Sequence, residues 1–324
     1  MEAQGRMPPS SPIVEVRIPT YNRPNFLRRA LHALVSQTYE NWRAVVLDDG
    51  DAARTQHVVS AIGDGRISHS PNRERLGGPR NIVRAFSRQP MVGGEFFYVL
   101  EDDNLIMPTF IEENLGWLSA HDVGLVVNNQ WVEVPSKDAQ AVSPAHDVWT
   151  TIDCFTEGVW SADDFKIALL WRNPISNGAI FWRLNCRSDF TLDDKHHPGI
   201  HEELRAYRLE DPIYFNETPN AYWYPSVPMP VSIASSLSGM SVYLKRERAV
   251  QIMRRHILSR LRRRGESEKL LSKRYKTPLP IREEGVLKAY GQWPGPSGLT
   301  FPRRVELLAK ALLLRSIVPD VPLQ

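Results

Sequence analysis

From Ile13 to Val134 the chain alternates between two kinds of patterning. Short apolar runs rich in β-branched residues are followed by longer stretches with apolar residues at helical spacing. "IVEVRIPTYN" (Ile13–Asn22) predicts a first strand. In the stretch after it, Asn22 is suited to cap a helix and Pro24 to its first turn, while Phe26, Leu27, Ala30, Leu31, Leu34 and Val35 form one face. "WRAVVLDDG" (Trp42–Gly50) predicts a second strand, stopped by acids and glycine. A glycine turn and helix are expected over Leu76–Arg88, a strand over Glu95–Asn104, a helix over Pro108–His121 and a strand over Val123–Val134. Such alternation predicts a parallel sheet flanked by helices on both faces. Ligands bind such sheets beyond the carboxyl ends of the strands. Two acidic clusters, Asp48/Asp49 and Glu101/Asp102/Asp103, fall at those ends.

The pattern then weakens. Residues 135–161 read as loops and short elements, and "ISNGAIFWRL" (Ile175–Leu184) as another strand. Thr191–Tyr224 mixes His, acidic and aromatic residues. The Pro- and Ser-rich stretch Tyr224–Gly239 marks a boundary. The expected organisation is a disordered lead-in over 1–12, one domain over 13–230 and a basic helical region over 231–324.

Charge sharpens that division. The net charge is +3, yet Lys245–Lys276 alone carries thirteen Lys or Arg against three Glu, so the remainder is acidic. Val250, Met253, Ile257 and Leu261 sit at helical spacing within it, and a last amphipathic helix is expected over Arg303–Ile317. Its first use is a solvated helix packed on the acidic body. Peripheral membrane contact is the second. Nucleic acid is not expected, because no aromatic interleaving accompanies the arginines. With 42% hydrophobic and 24% charged residues the composition is globular. No run approaches the ~20 apolar residues of a membrane span, and the two cysteines, Cys154 and Cys186, make no metal-type spacing. A cytoplasmic, at most membrane-peripheral, location follows as the expectation.

Three consecutive acids at the end of a buried strand repel one another, and burial adds to the cost. A hard divalent cation, Mn²⁺ or Mg²⁺, relieves it, with substrate phosphates and water completing its shell. Acids after a strand also serve simply as helix caps and solvated loops. The surrounding blocks decide between these uses.

"IPTYNRPNFLRRALHALVSQTYENWRAVVLDDG" and "GEFFYVLEDDNLIMPTFI" resemble, in order and spacing, the opening blocks of family 2 glycosyltransferases, of the bacterial spore-coat polysaccharide type. The resemblance implies an α/β GT-A fold: Rossmann-like, with a mainly parallel sheet flanked by helices, here with a C-terminal helical extension. It also implies metal-dependent, inverting transfer of a sugar from a UDP- or dTDP-sugar to an acceptor hydroxyl. Pro19 and Tyr21 would line the nucleotide-sugar pocket, with Tyr21 against the nucleobase. Asp49 would accept from the ring N–H, and Arg80 would lie near the diphosphate. Asp102 would contact the ribose and Asp103 the metal, with Glu101 standing where many members have the first Asp of Asp-x-Asp.

Inversion needs one base opposite the leaving group. "GIHEELRAYRLEDPIYFN" (Gly199–Asn216) resembles the family's second acidic block and puts Glu202 at the base position, with Glu203 its rival. Neighbours on a helix point about 100° apart, so one of them faces the donor. Glu is a departure from the usual Asp. Asp193 and Asp194 are more distant alternatives. His196, His197 and His201 lie nearby without a zinc signature. "SNG" (Ser176–Gly178) is a weak acceptor-side signal, and Ser235–Arg246 a possible lid bringing Lys245 or Arg246 to the phosphates. A nucleotidyltransferase would want a glycine-rich loop after the first strand, where this chain has "PTYNRPN". A non-catalytic nucleotide-sugar-binding scaffold is the remaining alternative. The acceptor is not legible.

Overall fold

The computed structural model describes residues 11–134, 143–147, 155–169, 175–192 and 201–224. The expected lead-in, most of the linker and the basic C-terminal region fall outside the described residues, as do Asp193, Asp194, His196, His197, Cys154, Lys245 and Arg246.

The strands are β1 (Val14–Thr20), β2 (Trp42–Asp48), β3 (Ile67–Pro71), β4 (Phe96–Val99), β5 (Leu105–Ile106), β6 (Leu125–Val134), β7 (Ser143–Asp147), β8 (Gly158–Trp160), β9 (Ile180–Arg183) and β10 (Ile213–Trp223). They join in one sheet of order β3-β2-β1-β4-β9-β6-β10-β5, with β7 beside β6 and β8 beside β10. The helices are α1 (Pro24–Val35), α2 (Ala52–Ile62), α3 (Gly78–Ala85), α4 (Phe110–Ala120), α5 (Ala162–Leu169) and α6 (His201–Tyr207), and the short 3₁₀ turn Asn177–Ala179 precedes β9. Among the described residues no helix is long and apolar enough to cross a membrane.

β3, β2, β1 and β4 are parallel, as the alternation predicts. β6 and β10 are also parallel. Between the two groups lies β9, antiparallel to both β4 and β6. Periodicity cannot announce this reversal, because an interior strand is buried on both faces whichever way it runs. β1 shows the pattern: all seven residues are buried. Val14, Val16 and Ile18 meet Leu27, Ala30, Leu31 and Leu34 of α1. Losing one such leucine to alanine costs about 2–5 kcal/mol.

The opposite face of β1 carries Glu15 and Arg17, both fully buried and bonded to each other at 2.7 Å. Glu15 accepts from the backbone N–H groups of Met91, Val92 and Gly94. Arg17 donates to the carbonyls of Ala85, Ser87 and Gln89. The charges are thereby satisfied as well as paired, which burial demands, and the loop before β4 is fixed.

Two expectations need correction. Asn22 does not cap α1: the cap position is Arg23, which makes no side-chain cap bond. Asn22 instead adopts a left-handed backbone (φ 53) and accepts from Asp51 N–H at 2.9 Å. Short polar side chains tolerate that conformation. The strand expected over Glu95–Asn104 ends at Val99, because residues 101–103 turn back on themselves, with Asn104 N–H bonded to Glu101 C=O. α2, β3 and β10 carry no separate expectation in the sequence.

Candidate functional site

β1, β2 and β4 end side by side, with Thr20 opposite Asp48 and the Leu100 N–H bonded to the Arg17 carbonyl. Their loops bring Tyr21, Asp49, Asp102 and Asp103 to one edge. Pro19 lies within β1, buried opposite Leu47.

Asp102 is fully buried and Asp103 nearly so. Asp102 Oδ2 accepts from Thr20 Oγ1 at 2.7 Å and from Arg23 Nε at 3.2 Å. Arg23 Nη2 lies 2.5 Å from Asp102 Oδ1, and Arg23 Nη1 2.6 Å from Asp103 Oδ2. One guanidinium therefore straddles both acids. Withdrawal from water pushes the Asp102 carboxyl up to about 6 against the opposing pull of Arg23 and Thr20. Burial works to lower the pKa of Arg23, but the attraction of Asp102 and Asp103 outweighs it and the net shift is upward. Arg23 is a site residue that sequence reasoning missed. Its only signal was a basic residue directly after "TYN", where it reads as the ordinary start of a helix.

Asp49 is buried, and its carboxylate accepts from Leu76 N–H (2.6 Å), Gly77 N–H (2.7 Å) and the Asn72 amide (2.8 Å). It thereby fastens the glycine turn that opens α3, where Gly77 has φ 82. Asn72 and Leu76 both donate to Oδ1, so Oδ2, bonded to Gly77 N–H, is the oxygen that keeps a second lone pair for a further donor. Tyr21 is exposed (38%), with the Arg75 guanidinium 4.4 Å from its ring centroid. Arg80 is exposed in the first turn of α3. Asp48 is a structural acid here, accepting from Gly50 N–H and facing His69 Nε2.

Glu101 turns the other way. Its Oε2 accepts from the Asn104 amide at 3.3 Å and its Oε1 from the Asn177 amide at 3.2 Å. The same Asn177 Nδ2 reaches Glu202 Oε1 at 3.3 Å. Glu101 and Glu202, 76 and 25 positions away from Asn177, thus converge on its amide. Removal from water, then the charges of Glu202 and Asp103, raise the Glu101 carboxyl to about 8. Asn177 Oδ1 accepts from Arg205 Nη1 at 2.7 Å. Arg205 is buried with its guanidinium 4.2 Å from the Phe86 ring centroid. Glu203 follows Glu202 in α6, and its side chain lies outside the described residues. His201 is buried at the start of the same helix. The backbone of Gly178 packs tightly on this side: a Cβ there would lie 2.7 Å from Asn104 Nδ2.

Residues 15–182 match the family described as "Glycosyl transferase family 2", just over half of the chain. The chain belongs to glycosyl transferase family 2. It is 24% identical over 189 residues to an uncharacterised glycosyltransferase of Haemophilus influenzae, covering 56% of this chain and 54% of the relative. It therefore spans about half the length of that protein. It is also 24% identical over 119 residues to the Escherichia coli UDP-Glc:alpha-D-GlcNAc-diphosphoundecaprenol beta-1,3-glucosyltransferase WfgD, covering 36% of this chain and 45% of that one. Among solved structures, S. aureus TarS in complex with UDP-GlcNAc superposes with a TM-score of 0.57 at 14% identity, covering 93% of this chain and 88% of that one. This family 2 chain has the GT-A fold: a mixed sheet, parallel over β3-β2-β1-β4, flanked by helices.

Proposed function

We propose that this chain is an inverting glycosyltransferase that moves a sugar from a UDP- or dTDP-sugar to an acceptor hydroxyl. The observation that carries the reading is the divided acid loop after β4. Asp102 and Asp103 face a cation on the β1 side, while Glu101 shares an amide with Glu202 on the α6 side.

The nucleotide would lie across the ends of β1, β2 and β4. Tyr21 offers a ring face to the base, Asp49 a carboxylate to a ring N–H, and Asp102 an acceptor to the ribose. Pro19 shapes the strand end beneath them. Arg80 and Arg23 supply positive charge for the diphosphate.

The acids also suit Mn²⁺ or Mg²⁺. Two neighbouring carboxylates already hold a cationic group, and such ions take only one or two carboxylates from the protein. Among the described residues no group of three or more metal-type side chains gathers, so Asp103, with Asp102 or Glu101, would be the protein's share. When bound, the ion neutralises charge on the leaving diphosphate.

The chemistry left to the chain is a proton transfer and an aligned displacement. The acceptor O–H gives its proton to the Glu202 carboxylate as its oxygen bonds the anomeric carbon. The bond from that carbon to the phosphate oxygen breaks, and the nucleoside diphosphate leaves with the electron pair. Attack opposite the leaving group inverts the centre. Glu203 is the rival base. The acceptor is any hydroxyl compound that reaches this side, and the basic C-terminal segment is a route to a membrane surface carrying one.

Calorimetric binding of UDP and dTDP, with Mn²⁺ and with chelator, tests the donor half. Metal-supported binding of at least one nucleotide is expected in the wild type, and its loss in Asp103→Ala. Absence of binding for both nucleotides in every condition would overturn the donor site in favour of a non-catalytic scaffold.

A further inference from the structure

Asn177 is buried and uses its whole side chain inside the protein. Its amide nitrogen carries two hydrogens, one for Glu101 Oε1 at 3.2 Å and one for Glu202 Oε1 at 3.3 Å. Its oxygen accepts from Arg205 Nη1 at 2.7 Å. A guanidinium only donates, so Arg205 dictates which way the amide points: oxygen toward itself, nitrogen toward the two acids. Arg205 is itself fixed, buried and stacked over Phe86. It lies three positions after Glu202 in α6, on the same side of the helix.

We infer that Asn177 is a positioning residue for the transfer reaction, its amide holding the Glu202 carboxylate toward the acid loop in an orientation set by Arg205. The inference rests on the reading of Glu202 as the base. An amide that donates to both Glu101 and Glu202 ties the Glu202 carboxylate to the acid loop and limits its rotation. The "SNG" triplet thus acts through its middle residue. Its glycine lets the backbone approach Asn104, and the Gly178 carbonyl accepts from Tyr98 Oη at 2.9 Å and Gln130 Nε2 at 3.2 Å, which holds the turn in place.

Two measurements on the full chain test this. The first needs no substrate. The Asn177 side-chain ¹H–¹⁵N pair, identified by its disappearance in Asn177→Ala, is followed by NMR. Glu202→Gln and Arg205→Lys are each expected to shift it. A pair unmoved by Glu202→Gln overturns the bridge. The second follows UDP release from UDP-glucose and UDP-N-acetylglucosamine, with Mn²⁺ and water as acceptor. Asn177→Ala is expected to lower kcat by about 10²-fold, with KM for the donor within about threefold. In a Glu202→Gln background the same change should remove no more than about threefold further, because both substitutions act through one group. An equal factor in both backgrounds overturns the positioning role and leaves Glu202 standing as the base. Wild-type turnover in Glu202→Gln sinks the base assignment itself, an outcome separate from the NMR shift. Where release is too slow to follow, the NMR result decides.

Discussion

Asp102 and Asp103 face β1 and α1, where Thr20 and Arg23 supply donors. Glu101, one residue earlier, faces the 3₁₀ turn and α6, where it meets neutral amides and a second acid. Three consecutive carboxylates thus divide between two electrostatic settings. The first is cationic and keeps negative charge in place. In the second, no cation among the described residues bonds directly to Glu101, and its carboxyl rises to about 8. A tight turn makes the division possible by pointing successive side chains apart. The acids end up in two separate neighbourhoods rather than one larger cluster.

The comparison breaks most visibly at Glu202. If the two settings are independent, Glu202→Gln should lower turnover by about 10²–10⁴-fold while UDP affinity stays within about threefold. Steady-state kinetics beside calorimetry would show it, and a parallel collapse of UDP affinity would mean that the halves are one site.

The close packing of the second setting comes next. Gly178→Ala places a methyl group 2.7 Å from Asn104 Nδ2, whose amide also serves Glu101. A loss of about 1–3 kcal/mol is expected in chemical denaturation. A neutral result would show that Asn104 yields freely.

Arg23 tests the first setting. Its side chain is 45% exposed, so screening limits what the ion pair contributes. Arg23→Gln should cost about 1 kcal/mol without metal. Without nucleotide it should also tighten Mn²⁺ binding, read from the EPR amplitude of the free ion, because the guanidinium no longer competes for Asp103. Weaker Mn²⁺ binding would make Arg23 a helper of the ion rather than its rival.

The smallest effect concerns pH. Glu101 ionises at about 8 in the fold, against an ordinary value of 4.5. The folded state therefore holds this proton more tightly than the unfolded chain. Its contribution is complete below about pH 4.5 and fades as the pH rises through 8. Glu101 keeps some solvent contact, so Glu101→Gln should flatten the decline in stability over that window by about 1 kcal/mol. Melting curves in chelator from pH 5 to about pH 9 would reveal it. Identical slopes would show that the carboxyl is better solvated than its surroundings indicate.

The half of the candidate site on β1, β2 and β4 was largely legible in the sequence. β1, α1, β2, α3, β4 and α4 follow from periodicity and turn residues, and the acids at strand ends follow from them. The other half was not. Asn177 is a common residue in an apolar run, and nothing local says that it will meet Glu101 and Glu202 across 76 and 25 positions. Arg205 reads as one more arginine on a helix, yet it is buried. Arg23 was hidden because it occupies the cap position, where sequence rules look at Asn22. Contacts made across the sheet leave no periodic trace, whereas contacts made along a strand or helix do.

The reversed strand β9 governs the order in which the protein can be built. It lies between β4 and β6, yet its residues, Ile180–Arg183, follow those of β4, Phe96–Val99, after a long excursion of chain. During synthesis the parallel group β3-β2-β1-β4 can form early, and one flank of β4 then waits for a partner still to be made. That flank belongs to an aromatic strand, the kind of open edge that recruits unwanted neighbours. The half of the candidate site carried by β1, β2 and β4 is thus assembled first, and the half that joins Glu101 to Asn177 and Glu202 last. A ribosome stalled between these strands would carry a nascent domain with its Asp49, Asp102 and Asp103 loops in place, while Asn177 and Glu202, the later partners around Glu101, are still to be made.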